Sequence, residues 1–549
     1  MIRPPAPATE PGPLRQIGRG IGRAAVLIGV ITTAARLVGF GRQLAFAHTV
    51  GATCLGSAYA TANQVPNIIY DIVLGGALTS AVVPVLAGPA ARRMSAPGEQ
   101  AATAETSQIA SALLTWTVLV LAPVSALIAV TAGPLVSVLL SRAPGCSPVA
   151  IMAVSTRMLA VFAPQILLYG LAVVLYGILQ AHQRFAAPAL APVLSSLVVV
   201  GAYVAFVPLG GGYQNRLGAL PRPAELMLSL GTTAGVAALA LTVLGPALRL
   251  RLRLRPALRF PAGVAARVRG LAAVGIAALI AQNAAGVAVI VLANSHDGRG
   301  ALVLYNYGWQ MFFVPYAVLA VPIATSAFPL LSARSGASFD GTAALSTRAV
   351  MLVSWLGAAL LAGAAVPSSR LFAAHSAAGE LALTFAAFAP GLVGYGLAAN
   401  LSRVLFACGR GRVAALAIVG GWVLVIAADV VAVALVPARW VVPVLGLGNT
   451  IGLTLSGSAL LGAVGLARGR AALRGAGRAA AAGLAGALAG GAAGAAVSAA
   501  LPVSGFIRNA CVAVLASACV AAVFGLAVLV LDGGDLRAVA TRARGRLLR

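Results

Sequence analysis

Apolar residues in this chain come in long, nearly unbroken blocks, not at the spacing of an amphipathic helix or strand. A helix needs roughly 20 consecutive apolar residues to cross a bilayer core. Blocks of that kind centre on 24–46, 57–87, 108–132, 151–180, 187–207, 226–248, 270–294, 301–331, 347–367, 380–407, 413–436, 442–466, 479–501 and 509–531. The pattern predicts an all-α polytopic membrane protein with about fourteen transmembrane helices. Several blocks carry Pro or paired Gly, which membrane helices tolerate when neighbours satisfy the freed backbone groups.

The polar gaps set the orientation. The chain has no lysine, so its 38 basic residues are arginines. With the N-terminus inside, 27 arginines fall in inside segments and eight in outside segments, and Arg36, Arg42 and Arg403 remain within spans. A miscounted helix would scramble this alternation from that point on. Both termini are therefore expected in the cytoplasm, with the protein in the plasma membrane. The Pro-rich start, 1–21, reads as a disordered tail without a signal-peptide cleavage pattern.

Composition removes other classes. At 60% hydrophobic and 9% charged residues, the chain lacks the polar surface of a soluble domain. The net charge of +27 does not point to nucleic acid, because the arginines lie in short loops without interleaved aromatics. The cysteines Cys54, Cys146, Cys408, Cys511 and Cys519 show no metal spacing or framework and read as small hydrophobes. The four histidines are dispersed, so no metal site is expected. No Gly-rich phosphate loop or Ser/His/Asp constellation is present, so neither ATP-driven transport by this chain alone nor catalysis is expected.

The sequence repeats itself. Phe162-Ala-Pro-Gln-Ile-Leu-Leu-Tyr169-Gly-Leu-Ala matches Phe388-Ala-Pro-Gly-Leu-Val-Gly-Tyr395-Gly-Leu-Ala, continuing without a gap to Arg184 and Arg410. A weaker echo links Thr79-Ser-Ala to Thr325-Ser-Ala. Each pair lies six predicted helices apart, an even number, so the halves share one orientation. A parallel repeat places the substrate site between the halves near the midplane. The expected organisation is an N-lobe over 22–248, a basic cytoplasmic linker over 249–269 and a C-lobe over 270–468. A C-terminal helix pair over 469–531 and a basic tail over 532–549 complete it. The linker's Arg249-Leu-Arg-Leu-Arg-Leu-Arg255 run reads as positive-inside topology with contact to anionic headgroups.

Ionisable groups inside a membrane are costly and are functional candidates by default. Arg36, Arg42, Asp71, Arg403 and Asp429 stand out. Arg36 lies about 18 Å into the first helix, and the six residues to Arg42 rotate it to point about 120° away. The two converge on one cavity only if the helix bends, which Gly39 and Gly41 permit; otherwise Arg42 snorkels to the outer interface. Gln64, Asn67 and Asp71 share a face of the second helix, as cavity lining or as interhelical glue. Asn306 and Gln310 form an i, i+4 pair on the eighth, and Gln282 and Asn283 sit mid-span in the seventh. Arg403 reads as snorkelling to the inner surface. Asp429 is a candidate for a coupling ion or proton, or for pairing with a polar group elsewhere. Gly486, Gly490 and Gly494 make a small-residue ridge suited to close helix packing.

These residues carry a resemblance. Thr33-Ala-Ala-Arg36-Leu-Val-Gly39-Phe40-Gly-Arg42, Val50-Gly51-Ala52, Val65-Pro66-Asn67 and Gly76-Ala77-Leu78-Thr79-Ser80-Ala81-Val-Val-Pro84 resemble the opening of the MurJ/MviN family, lipid II flippases of the MOP exporter superfamily. Leu179 to Pro188 and Pro315 to Pro329 fit the same family. The resemblance implies two lobes rocking around a cationic cavity that moves undecaprenyl-diphosphate-linked peptidoglycan precursor to the outer leaflet. The polyprenyl tail would lie in a groove by helices thirteen and fourteen. Membrane lipids and cell-wall synthesis proteins are the implied partners. Arg36 and Arg42 match the family's paired first-helix arginines. The chain departs from the family where Ser57 replaces an acid, Tyr70 and Gln310 replace arginines, and Gly75-Gly76 replaces Glu-Gly. Some members bind sodium between helices seven, eleven and twelve, which makes Asp429, Asn283 and Thr450 candidates for a sodium ion or proton as coupling ion. The rivals are export of another polyprenyl-linked glycan or of a small cation, and a non-transporting scaffold of the cell envelope.

Overall fold

A computed structural model describes residues 34–73, 86, 100–140, 143–250, 252, 254–260, 264–296, 300–373 and 375–532. The described chain is helical because an apolar backbone in lipid must satisfy its hydrogen bonds within each segment. A helix α1 runs through 34–49, followed by α2 (Cys54–Ile72), α3 (Gln100–Val130) and the short α4 (Ala132–Leu139). Next come α5 (Pro148–Phe162), α6 (Gln165–Ala181), α7 (Ala186–Gly210) and α8 (Arg222–Leu248), which with the preceding helices form the N-lobe. The C-lobe begins with α9 (Val264–His296) and α10 (Ala301–Pro315), which widens into a π-helical turn over Tyr316–Ala320 before α11 (Val321–Ser332). It continues through α12 (Gly336–Gly363), α13 (Ala365–Phe372), α14 (His375–Phe388), α15 (Gly391–Ala407), α16 (Gly411–Leu435) and α17 (Val441–Arg468). The pair α18 (Ala476–Ala500) and α19 (Phe506–Leu531) packs on α12.

The all-α membrane architecture is as expected, but the count of fourteen spans is not established. Among the described residues, 11 helices are long and apolar enough to cross a membrane, or 12 if the bent α14–α15 pair is one span. The blocks expected at 24–46 and 57–87 lie partly outside the described residues, as does the Thr79 echo.

The duplicated Phe-Ala-Pro marks a break in both lobes. Pro164 separates α5 from α6 and Pro390 separates α14 from α15, the latter pair bending by 41°. Neither helix runs unbroken through its proline, and in each lobe a threonine from the lobe's last long helix bonds a carbonyl beside the break. Thr233 Oγ1 of α8 donates to the Val161 carbonyl at 3.1 Å, and Thr450 Oγ1 of α17 donates to the Ala387 carbonyl at 2.6 Å. Both carbonyls lie three residues before the proline. Ser125 adds a bond to the Ala163 carbonyl at 2.8 Å.

Two of the five cysteines are not merely small hydrophobes. Cys54 and Cys146 form a disulfide, with Cα atoms 5.8 Å apart across a sequence separation of 92. It ties the first turn of α2 to the segment before α5. The α7–α8 loop completes this end: Asn215 Oδ1 accepts the Cys54 N–H at 3.1 Å and the Gln214 carbonyl accepts the Leu55 N–H at 2.9 Å. Cys408, Cys511 and Cys519 are free.

The glycine ridge of α18 is a packing surface. Gly486 and Gly490 lie against Phe524 and Val520 of α19, and Gly494 lies against Val520 and Gly363. A methyl at Gly490 or Gly494 would collide with α19, and one at Gly486 would press on the Phe524 ring.

Candidate functional site

The lobes meet at the disulfide end of the bundle. Ser57 Oγ of α2 accepts the Gly300 N–H at 2.8 Å, capping the start of α10. Asn294 Nδ2 of α9 donates to Thr61 Oγ1 at 2.9 Å and to the Leu139 carbonyl at 3.0 Å. Gly300 adopts φ +75 and approaches the Ala52 backbone so closely that no side chain fits there. Rings complete the closure, with Phe40 against Phe372 at 5.5 Å and His48 against Phe506 at 5.6 Å. Ser57, which stands where the resemblance leads one to expect an acid, thus serves this contact.

Away from that seal the lobes part around a cavity of about 540 Å³. Arg36 and Arg42 both line it, as does Gly39 between them. Arg36 also lies over the Phe313 ring at 5.4 Å. Gln64, Asn67 and Asp71 line the same cavity from α2, and Asn306 and Gln310 line it from α10. Among the described residues none of Arg36, Arg42 and Asp71 makes an ion pair, so the two cations face the cavity without a fixed counter-charge. Asn67 accepts a hydrogen bond from Tyr169 at 3.3 Å, and Tyr169 stacks on Tyr70 at 4.3 Å.

The cavity belongs mostly to the N-lobe. On its wall, Thr232 gives its proton to the Leu228 carbonyl at 2.7 Å, so Tyr59 donates to Thr232 at 2.8 Å and accepts from Tyr203 at 2.9 Å. The corresponding space in the C-lobe is filled by rings: Trp309 and Tyr316 of the α10 region, Phe388, Tyr395 and Trp422, with centroid separations from 4.3 to 6.5 Å. Sequence reading did not single out Tyr59, Tyr203 or Thr232, because hydroxyls in aromatic and β-branched residues look apolar along the chain.

A smaller chamber of about 90 Å³ adjoins the first and shares Gln64, Asp71, Asn306 and Trp309 with it. Its other polar lining comes from Gln282, Asn283, Tyr305 and Asn449. Asn449 donates to the Tyr305 hydroxyl at 2.9 Å and leaves its own Oδ1 buried without a partner. Asp429 is fully buried on α16 against Gly448, and neither carboxylate oxygen has a partner. Asn283 is buried at the chamber, while Thr450 is not part of it. The hydroxyl of Thr450 serves the α14–α15 break, because it sits one residue round α17 from the face that Asn449 presents. Arg403 is half-buried and donates to the Ala399 carbonyl of its own helix, outside both chambers.

Comparison with known proteins agrees with this architecture. The family described as "Lipid II flippase MurJ" matches residues 46–476. The "Lipid II flippase MurJ" of Burkholderia cenocepacia is 26% identical over 333 residues, covering 56% of this chain and 57% of that protein. The "Probable lipid II flippase MurJ" of Rhizobium meliloti is 25% identical over 335 residues, covering 59% and 57%. The chain thus spans somewhat over half the length of these relatives. In fold, it is similar to a solved "Lipid II flippase MurJ, inward closed conformation", with a TM-score of 0.67 at 15% identity over 91% of this chain and 98% of that one. It is also similar to an inward-facing multidrug resistance MATE family transporter of the MOP superfamily, with a TM-score of 0.60 at 14% identity over 79% and 95%. With the family match extending from the end of α1 to the start of α18, this multi-pass membrane protein belongs to the MurJ family.

Proposed function

We propose that the chain carries lipid II, the undecaprenyl-diphosphate-linked peptidoglycan precursor, from the inner to the outer leaflet of the plasma membrane by alternating access. The observation that carries this reading is the placement of Arg36 and Arg42 on one cavity, lined from both lobes and lying beyond the seal at the disulfide end. A diphosphate crossing a low-dielectric slab needs fixed cations, and the guanidinium fork matches phosphate geometry. The neutral polar groups Gln64, Asn67, Asn306 and Gln310 supply hydrogen bonds to the sugar and peptide portions. The protein acts as a carrier, not as a catalyst. Opening the disulfide end while the other end closes would deliver the cargo to cell-wall synthesis proteins outside. Cytoplasmic termini are supported by the arginine alternation. The disulfide agrees, because Cys54 and Cys146 both fall in segments that alternation places outside, where thiols are oxidised.

A coupling cation would be taken by Asp429, which lies against Gly448 of α17 and outside the lining of the second chamber. Asp429 and the Asn449 Oδ1 are buried oxygen donors without partners, the chemistry that suits a hard monovalent ion or a proton. Asn283 lines the second chamber together with Asn449, and in this reading Asn449 would serve where the resemblance implied Thr450.

The test is complementation of a bacterium depleted of its own lipid II flippase. Wild type is expected to restore growth, and a normally inserted Arg36→Ala variant is expected to fail. No rescue by well-inserted wild type would overturn lipid II as the cargo and favour another polyprenyl-linked glycan or a scaffold role.

A further inference from the structure

The segment joining the lobes is fastened to the N-lobe. Arg255 donates its backbone N–H to Ser111 Oγ at 3.1 Å, and Ala257 donates its N–H to Thr115 Oγ1 at 3.1 Å. The register has a physical basis. Four residues along a helix advance about 6 Å, and two residues of extended chain advance nearly the same, about 6.6 Å. Pro256, which has no N–H, falls between the two donors. Thr115 gives its own proton to the Ser111 carbonyl at 2.8 Å and so presents a lone pair to Ala257. A third bond runs from Trp116 Nε1 to the Leu258 carbonyl at 3.1 Å. Leu250, Leu252 and Phe260 pack into the hydrophobic cluster formed with α6.

Pinning leaves a particular surface outward. Arg249, Arg255 and Arg259 are exposed, and so are Leu254 and Leu258, the latter at 59%. Trp116, 42% exposed, lies beside them at the middle of α3. Arg251 and Arg253 lie outside the described residues.

We propose that this pinned segment is a binding site for anionic phospholipid of the inner leaflet, with Arg255 and Arg259 taking the phosphate and Leu254 and Leu258 lying among the acyl chains. An acidic peptide or nucleic acid would meet the cations but leave the leucines in water, whereas a phospholipid satisfies both. Because α3 already holds the segment extended, little ordering entropy remains to be lost on binding. The site lies outside both chambers and does not depend on the identity of the cargo.

Native mass spectrometry of the full-length protein, reconstituted with phosphatidylglycerol or phosphatidylcholine, tests the site. Wild type is expected to retain phosphatidylglycerol in preference. The double variant Arg255→Gln/Arg259→Gln is expected to bind it about 30-fold more weakly, on the scale of one arginine's attraction to an anionic surface for each residue removed. The variant Ser111→Ala/Thr115→Val, which keeps every arginine but unpins the segment, is expected to weaken retention by a smaller factor. The control Arg410→Gln/Arg412→Gln removes two exposed arginines at the start of α16 and is expected to retain the lipid as wild type does. Equal loss in the control would show general surface charge only, and unchanged retention in the first or second variant would likewise overturn the site.

Discussion

Thr450 holds the broken helix of the C-lobe together: its hydroxyl donates to the Ala387 carbonyl at 2.6 Å and accepts the Gly391 N–H at 3.2 Å, on either side of Pro390. Thr233 repeats the first of these bonds at Val161 in the N-lobe. The two lobes therefore share the proline break and a threonine hydroxyl bonded beside it. Thr450→Val is expected to lower stability by about 1–2 kcal/mol, since it leaves a buried carbonyl and N–H unpaired. Thr450→Ser should restore most of that loss. Thermal unfolding in detergent reads both, and a neutral Thr450→Val would refute the stapling role.

The disulfide closes a loop of 92 residues at the end of the bundle where the lobes touch. Removing it with Cys54→Ser is expected to cost about 2–4 kcal/mol, as for other long-loop disulfides. In intact cells a membrane-impermeant maleimide should label Cys54 and Cys146 only after reduction. Labelling without reductant would contradict the bond, and labelling only in opened vesicles would contradict the orientation.

Gly300 has φ +75 and no room for a side chain against Ala52. Gly300→Ala is expected to hold this end of the lobes apart and to strain the backbone by about 1–2 kcal/mol. The readout is a pair of spin labels, one in each lobe at that end, with the distance distribution shifting outward. An unshifted distribution would show that the close approach does not govern closure.

Asp429 is a buried carboxylate without a hydrogen-bond partner. If it holds the coupling cation, sodium at ten times its Kd should raise wild-type stability by about 1.4 kcal/mol. Asp429→Asn should abolish that increment without losing stability in its absence, because an unpartnered buried charge is itself unfavourable. A sodium increment that survives the substitution would place the cation elsewhere.

The sequence alone determined the all-α membrane class, the repeat and the presence of arginines inside the apolar blocks, whereas the fold put Arg36 and Arg42 on one cavity. Each of the first three rests on a property readable along one dimension. Lipid solvation demands apolar blocks of a set length, the arginine bias acts loop by loop, and a duplication is visible as Phe-Ala-Pro recurring at 162 and 388. A charge such as Arg36 in an apolar block announces itself because lipid makes it expensive.

Tertiary structure alone decided what depends on distance between residues far apart in the chain. Cys54 and Cys146 looked like any small apolar residue until the fold brought their Cα atoms to 5.8 Å. Thr450 and Asn449 are neighbours in sequence, yet the 100° step of a helix sends one to the proline break and the other to the chamber beside Tyr305. The asymmetry between the lobes was equally hidden. A matching tyrosine in each repeat, Tyr169 and Tyr395, lines an open cavity in one lobe and joins a packed aromatic cluster in the other. Which of the two occurs is set by the side chains arriving from other helices, and packing of that kind leaves no periodic trace in either strand of the repeat.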